Sequence, residues 1–398
     1  MALLWIAIAQ GSATAADPSE LQTAAKLRAG EQVRIVCFGD SVTGVYYHTG
    51  GRRAYTDMLG IALGKIHPTA TVTMINAGVS GHTTENALAR IDKDVLAHKP
   101  SLVTVMFGLN DMTRVPLDQY RANLRTIIEK CRAADAEVLL ATPNNVITTA
   151  GRTTEKLIEY CNAMREVGRE TVTPVCDCYA DLEAIRSRDV LAWRLLMSDE
   201  IHPNMDGHKR IAESLARAIC GQEVSLADVP PPTLALANTL AKLKAKEPIK
   251  VLAMPPLDEW IELAVKEFAP QAKLEITAWP TSEKSLAQLE QDAQARVRSF
   301  KPDLVLLTIP RTANADSPEA FIRSYAWIMN WSLSFGTQEW DCVIVHPAVV
   351  DPNHADEKQD ALVRKLVAAQ DLTLIDRRAS DKRPAAQLLT EWLTQQRE

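Results

Sequence analysis

Glycine is nearly missing from the second half of this 398-residue chain: fifteen of its sixteen glycines precede residue 222. Glycine serves tight turns and close backbone approaches, so loops of that kind are confined to the first half. Long apolar runs are absent too. The longest, Ala2-Leu3-Leu4-Trp5-Ile6-Ala7-Ile8-Ala9, is too short to span a bilayer, and no other stretch reads as a membrane helix. Positive charge is not in excess: the net charge is −6 and the pI near 5.8, which gives no support for a nucleic-acid partner. The seven cysteines (37, 131, 161, 176, 178, 220 and 342) are an odd number without metal-ligand spacing. That excludes a disulfide framework, while one bridge among Cys131, Cys161 and Cys220 stays open. Finally, no Gly-x-Ser-x-Gly elbow occurs, which argues against an ordinary α/β-hydrolase.

What is present reads as a soluble globular chain, with 24% charged and 46% hydrophobic residues. The length predicts two or three domains. The N-terminal apolar run is followed by Ala13-Thr14-Ala15 and then by polar Asp17-Pro18-Ser19-Glu20. This resembles the core and cleavage site of a signal peptide, although no Lys or Arg precedes Lys26. Residues 1–16 are therefore expected to direct export to the periplasm or exterior; without that function the chain is cytoplasmic.

From Gln32 to about Cys220, strand-like and helix-like segments alternate. Arg34–Phe38, Val72–Ile75, Leu102–Phe107, Val138–Thr142 and Thr173–Cys176 are short apolar or β-branched runs. Between them lie helical spacings such as Asn123-Leu124, Ile127-Ile128 and Cys131. Alternation of this kind predicts a parallel sheet covered on both faces, an α/β unit. Ligands bind such sheets at the carboxyl ends of the strands, and four polar blocks fall there or near the unit's end. They are Gly39-Asp40-Ser41, Asn76-Ala77-Gly78-Val79-Ser80-Gly81-His82-Thr83, Gly108-Leu109-Asn110-Asp111 and Asp199-Glu200-Ile201-His202-Pro203-Asn204. Each alone is ordinary turn or cap chemistry. Together they form a full esterase inventory.

The four blocks resemble the GDSL or SGNH family of serine hydrolases and stand in that family's order, over roughly residues 32–220. The resemblance implies a flavodoxin-like three-layer sandwich with a parallel sheet. It implies Ser41 as nucleophile, Gly81 and Asn110 in the oxyanion hole, and His202 as base, aided by Asp199. No cofactor or metal is called for, and the partner is a small-molecule or carbohydrate ester.

The chemistry agrees with that assignment. A serine hydroxyl needs an adjacent base, and His202 would take its proton and return it to the leaving group. Three-residue spacing lets Asp199 fold back to the other imidazole nitrogen and set the tautomer. The backbone N–H groups of Ser41 and Gly81 and the Asn110 amide would face the oxyanion. Gly81 is expected there because close backbone approach favours a residue without Cβ. Asp40 and Asp111 read as structural carboxylates of the loops. His82 and His208 flank the site, in surface or helix-start roles. A metal site built from Asp199, His202 and His208 is the minor alternative, since it leaves Ser41, Gly81 and Asn110 unexplained.

Residues 222–248, with Pro230-Pro231-Pro232 and a helical run at Leu234–Lys246, read as a linker between units at 30–221 and 249–398. The second unit repeats the first. Lys250–Met254 parallels Arg34–Phe38 at an offset of 216 residues, Pro270 follows Pro68 and Pro302 follows Pro100 by 202, Pro347 follows Pro143 by 204, and Asp376 follows Asp177 by 199. Opposite Ser41, Gly81 and Asn110 stand Leu257, Glu283 and Thr312, so the second α/β unit is expected to be a degenerate, noncatalytic copy. Six of the eight tryptophans lie after residue 250. They read as core or interface packing, with a sugar-stacking platform as the alternative. The expected function is hydrolysis of a small acyl ester, such as an O-acetyl group on a carbohydrate. A lysophospholipase or thioesterase is the alternative within the family, and a noncatalytic carbohydrate-binding or scaffolding protein the alternative outside it.

Overall fold

The computed structural model describes residues 21–354, 356–378 and 380–396, and contains two five-stranded parallel sheets, one in each half. The expected signal peptide at 1–16 lies outside the described residues. The first sheet comprises β1 (Gln32–Gly39), β2 (Thr71–Gly78), β3 (Leu102–Met106), β4 (Glu137–Ala141) and β5 (Val175–Cys176), in the order β2-β1-β3-β4-β5. Its central strands are covered on both faces, and so read as nearly unbroken apolar runs instead of alternating ones. Val33, Ile35, Val36, Cys37 and Phe38 of β1 are all buried, as is the whole of β3. The helices Tyr55–Ile66 and Met205–Cys220 pack together, and Leu117–Ala133 packs on both Thr84–Asp94 and Thr154–Glu170. With the sheet between these groups the unit is the three-layer sandwich expected.

Strand order reverses between β1 and β3, because the chain runs outward from β1 to β2 and then crosses to the other side. Ligands bind at the carboxyl ends beside such a switch point, and Ser41 and Asn110 follow the two strands that flank it. Gly39 closes β1 against β3. A Cβ there would stand 2.7 Å from the Met106 carbonyl oxygen and 2.0 Å from Thr43 Oγ1.

The second sheet comprises β6 (Ile249–Ala253), β7 (Leu274–Ala278), β8 (Leu304–Leu307), β9 (Asp341–Val345) and β10 (Thr373–Ile375). Its order, β10-β9-β8-β6-β7, is that of the first sheet read from the other edge. The register repeats as well. Val33 pairs with Val72 as Ile249 pairs with Leu274, and Ile35 with Leu102 as Val251 with Leu304. Leu102 pairs with Glu137 as Leu304 with Asp341, and Leu140 with Val175 as Ile344 with Leu374. These pairings give strand offsets of 216, 202, 202, 204 and 199 residues, the values read from the sequence landmarks.

Two open points are settled by packing. All seven cysteines are free, so no bridge joins Cys131, Cys161 and Cys220. None of the six late tryptophans is exposed: Trp279 and Trp340 are core, and Trp327 stacks on Trp331 where the halves meet. No helix among the described residues is long and apolar enough to cross a membrane.

Gly39→Ala is expected to destabilise the chain by about 2 kcal/mol, the cost of forcing a methyl group into filled space. A urea midpoint equal to that of the wild type would contradict the close packing of β1 on β3.

Candidate active site

Ser41 lies two residues beyond β1 in a turn built by Asp40. The Asp40 carbonyl accepts from the N–H groups of Thr43 and Gly44 at 3.2 and 3.1 Å, and its Oδ1 accepts from Val42 N–H at 3.0 Å. His202 belongs to the segment ahead of the helix Met205–Cys220. Asn204 anchors that segment by accepting from Gly207 N–H at 3.1 Å, as a helix cap, and by donating Nδ2–H to the Leu195 carbonyl at 2.8 Å. Ser198 N–H donates to the His202 carbonyl at 2.9 Å and closes the turn.

The turn brings Asp199 back onto His202. Asp199 Oδ2 lies 2.8 Å from His202 Nδ1, and His202 Nε2 lies 2.8 Å from Ser41 Oγ. Asp199 Oδ1 accepts from the backbone N–H groups of Ile201 and His202, both at 2.8 Å. Tyr47 O–H donates to Oδ2 at 2.9 Å. An ionised carboxylate only accepts, so His202 Nδ1 carries the hydrogen toward Asp199. In the neutral imidazole Nε2 then holds the lone pair, and the Ser41 hydroxyl donates to it.

The electrostatics of the pair follow from burial and contact. Asp199 is 2% exposed. Burial alone would raise its carboxyl, but the charge and hydrogen bond of His202 and the Ile201 N–H hold it well below the usual carboxylate range. Burial alone would lower His202, but the Asp199 charge, the Asp199 hydrogen bond and the Asp40 charge together raise it above its ordinary value, against Arg152. Asp40 itself is pushed up to about 6, chiefly by burial.

Among the described residues, the N–H groups of Ser41 and Gly81 donate to no protein acceptor, which leaves two donors at the site. The Asn110 amide is engaged: Nδ2 donates to the His82 carbonyl at 3.1 Å and to Asp40 Oδ2 at 3.3 Å. Gly81 has a φ of +76°, which L side chains rarely adopt, and no protein atom lies within 4 Å of where its Cβ would stand. Asp111 is structural, accepting from Thr84 N–H and Oγ1–H at 2.8 and 2.6 Å and so tying the second and third blocks.

His208 starts the helix as expected but is fully buried, not at the surface. Its Nδ1 accepts from Tyr55 N–H at 2.9 Å, and burial lowers it to about 3. Between it and His202 packs His48, with ring centroids 4.6 Å from His202 and 5.3 Å from His208. The alternative of an ion on Asp199, His202 and His208 is thereby corrected, since His48 occupies the space between the two rings. No cluster of three or more His, Cys, Asp or Glu side chains among the described residues could hold a metal.

Three residues at the site escaped the sequence reading. Tyr47 and His48 sit in the short helical turn Tyr47–Thr49, and nothing in their local pattern signals contact with Asp199 and His202 some 150 residues on. Arg152 follows β4. It donates Nε–H to the Leu109 carbonyl at 3.0 Å and reaches Asn110 Oδ1 at 3.3 Å, which orients the amide.

Residues 37–210 match the model of the GDSL-like Lipase/Acylhydrolase family. Over those residues the chain is similar to that family. It is an esterase or acylhydrolase acting on ester bonds. An acetylxylan esterase from Geobacillus stearothermophilus is 27% identical over 222 residues, covering 48% of this chain and 96% of that protein. An isoamyl acetate-hydrolyzing esterase 1 homolog from Mus musculus is 29% identical over 203 residues, 44% of this chain and 77% of that one. Thioesterase 1/protease 1/lysophospholipase L1 from Escherichia coli K12 is 27% identical over 148 residues, 37% of this chain and 67% of that one.

The raised His202 fixes a sign for the pH dependence of this esterase. A base works only when neutral, so kcat/KM should rise with pH through a limb above the ordinary histidine value of about 6.5. A limb below that value, or none between about pH 5 and 9, would contradict the environment described for His202.

Proposed function

We propose that this chain is a serine esterase that removes small acyl groups, acetyl above all, from a carbohydrate or other alcohol. The observation that carries the proposal is the continuous chain from Ser41 Oγ through His202 to Asp199, with both links at 2.8 Å. Ser41 Oγ attacks the ester carbonyl while its proton passes to His202 Nε2. The former carbonyl oxygen takes up the negative charge and is met by the free N–H groups of Ser41 and Gly81. Asn110 Nδ2 joins them by giving up its long bond to Asp40. The imidazolium, stabilised by Asp199, then protonates the leaving alcohol. Water enters by the same route in reverse and releases the acid.

The preference for acetyl groups is supported by relatives whose names specify acetylxylan and isoamyl acetate. A long-chain acyl substrate is the second reading, favoured by the lysophospholipase and thioesterase named in the Escherichia coli relative. Residues 30–221 are proposed as the catalytic unit and 249–398 as the noncatalytic one. Export through residues 1–16 belongs to the same proposal.

A fluorophosphonate should form its adduct on Ser41, because only an activated hydroxyl reacts readily. Ser41→Ala and His202→Ala should each lower kcat by about 10³-fold or more, and the double variant should lose little further, since the two act as a unit. Asp199→Ala should be milder. An adduct elsewhere, or additive losses, would contradict the mechanism. Faster turnover of long-chain acyl esters than of acetylated xylooligosaccharides would overturn the substrate preference and leave the mechanism standing.

A further inference from the structure

The second sheet's unit does more than cover a flank of the first. Asn330, on the helix Pro318–Trp331, is wholly buried yet reaches across to the neighbour of Asp199. Its Oδ1 accepts from Ser198 Oγ–H at 2.9 Å and its Nδ2 donates to the Ser198 carbonyl at 3.2 Å. Gln370, 1% exposed, donates Nε2–H both to Asn330 Oδ1 and to the Tyr47 carbonyl, each at 2.7 Å.

Tyr47 is gripped from further directions by the same unit. Its N–H donates to the Phe335 carbonyl at 3.2 Å. The Arg298 guanidinium stands 5.3 Å from its ring centroid, and the Trp327 ring 6.2 Å. Arg298 in turn donates to the Asn330 and Leu333 carbonyls at 3.0 Å.

Buried polar groups at any interface need partners, so mere packing accounts for some bonds of this kind. It does not account for where they converge. One route, Gln370 to Tyr47, leads to the Asp199 carboxylate itself, and the other, Asn330 to Ser198, leads to the residue before it in the chain. Ser198 precedes Asp199 in the chain, and Tyr47 O–H donates to the same Asp199 oxygen that His202 uses.

We propose that the second unit is a positioning element of the active site, in which Asn330 and Gln370, acting through Ser198 and Tyr47, hold the Asp199 carboxylate in line with His202. The inference rests on the proposed roles of Ser41, His202 and Asp199. It assigns the second unit no reacting group. Its residues act on the orientation of Asp199, and therefore on the rate of proton transfer and not on substrate affinity.

The test uses the full chain with Tyr47→Phe, Gln370→Met and Asn330→Leu, assayed on a small soluble acetyl ester. Turnover is expressed per Ser41 titrated with a fluorophosphonate, so that inactive molecules drop out of the rate. Each variant should lower kcat about tenfold, the effect of losing a bond on a charged group or its support, with KM within about twofold. Tyr47→Phe combined with Gln370→Met should fall little below the worse single variant, because the two lie on one path. Should Asn330→Leu fail to fold, the Tyr47 and Gln370 variants and their combination decide the matter. Values of kcat within about twofold of wild type, or losses that simply multiply, overturn the inference. A wild-type protein that forms no adduct at Ser41 overturns the proposed function, and this inference with it.

Discussion

A buried carboxylate is stable as an anion only if its oxygens are occupied by donors. Asp199 meets that condition with four: the N–H groups of Ile201 and His202, the imidazole of His202 and the phenol of Tyr47. The first two come from its own turn, which explains the short Asp-x-x-His spacing. The third is the imidazole whose other nitrogen faces Ser41. The fourth comes from a distant loop and fixes where the first sheet's switch-point segment must run. Leaving one of these donors or lone pairs unmatched in the interior costs about 1–3 kcal/mol. The turn, the start of the helix Met205–Cys220 and the path of residues 46–51 are therefore constrained together.

The same frame carries two different surfaces. Strand order and register agree between the halves, so the scaffold tolerates either set of strand-end loops. In the first, Gly39 allows β1 to close on β3 and Gly81 supplies a left-handed turn with its N–H free. In the second, Glu283 keeps a positive φ, +57°, at the position matching Gly81. That positive φ is thus kept without a glycine, while Leu257, at the position matching Ser41, is a buried side chain. What the second unit retains is its edge-on grip of Tyr47 and Ser198, through Gln370 and Asn330.

The strands were legible in the sequence because burial on both faces leaves an apolar run, and the repeat because similar residues mark corresponding strand ends at offsets that drift only between 199 and 216 residues. Ser41, Gly81, Asn110, Asp199 and His202 were legible because each follows a strand or precedes a helix within a short, chemically specific block. Tyr47, His48 and Arg152 were not. Their roles are contacts across more than a hundred residues of chain for the first two and an amide orientation for the third, and neither leaves a local pattern. Asn330 and Gln370 are hidden for the same reason: a buried amide within a helix, or just past the end of one, looks like an ordinary polar position. The positive φ at Gly81 was not legible, because sequence alone does not separate a need for space from a need for positive φ.

The central claim is that Asp199 fixes the tautomer of His202, with hydrogen on Nδ1 and the lone pair of Nε2 directed at Ser41. Nitrogen-15 NMR of the full chain labelled at histidine reads this directly. Above the titration limb, His202 should show a protonated Nδ1 and an unprotonated Nε2, and both should become protonated as pH falls below a value higher than about 6.5. A neutral His202 carrying its hydrogen on Nε2, or exchanging between the two nitrogens, would contradict the account.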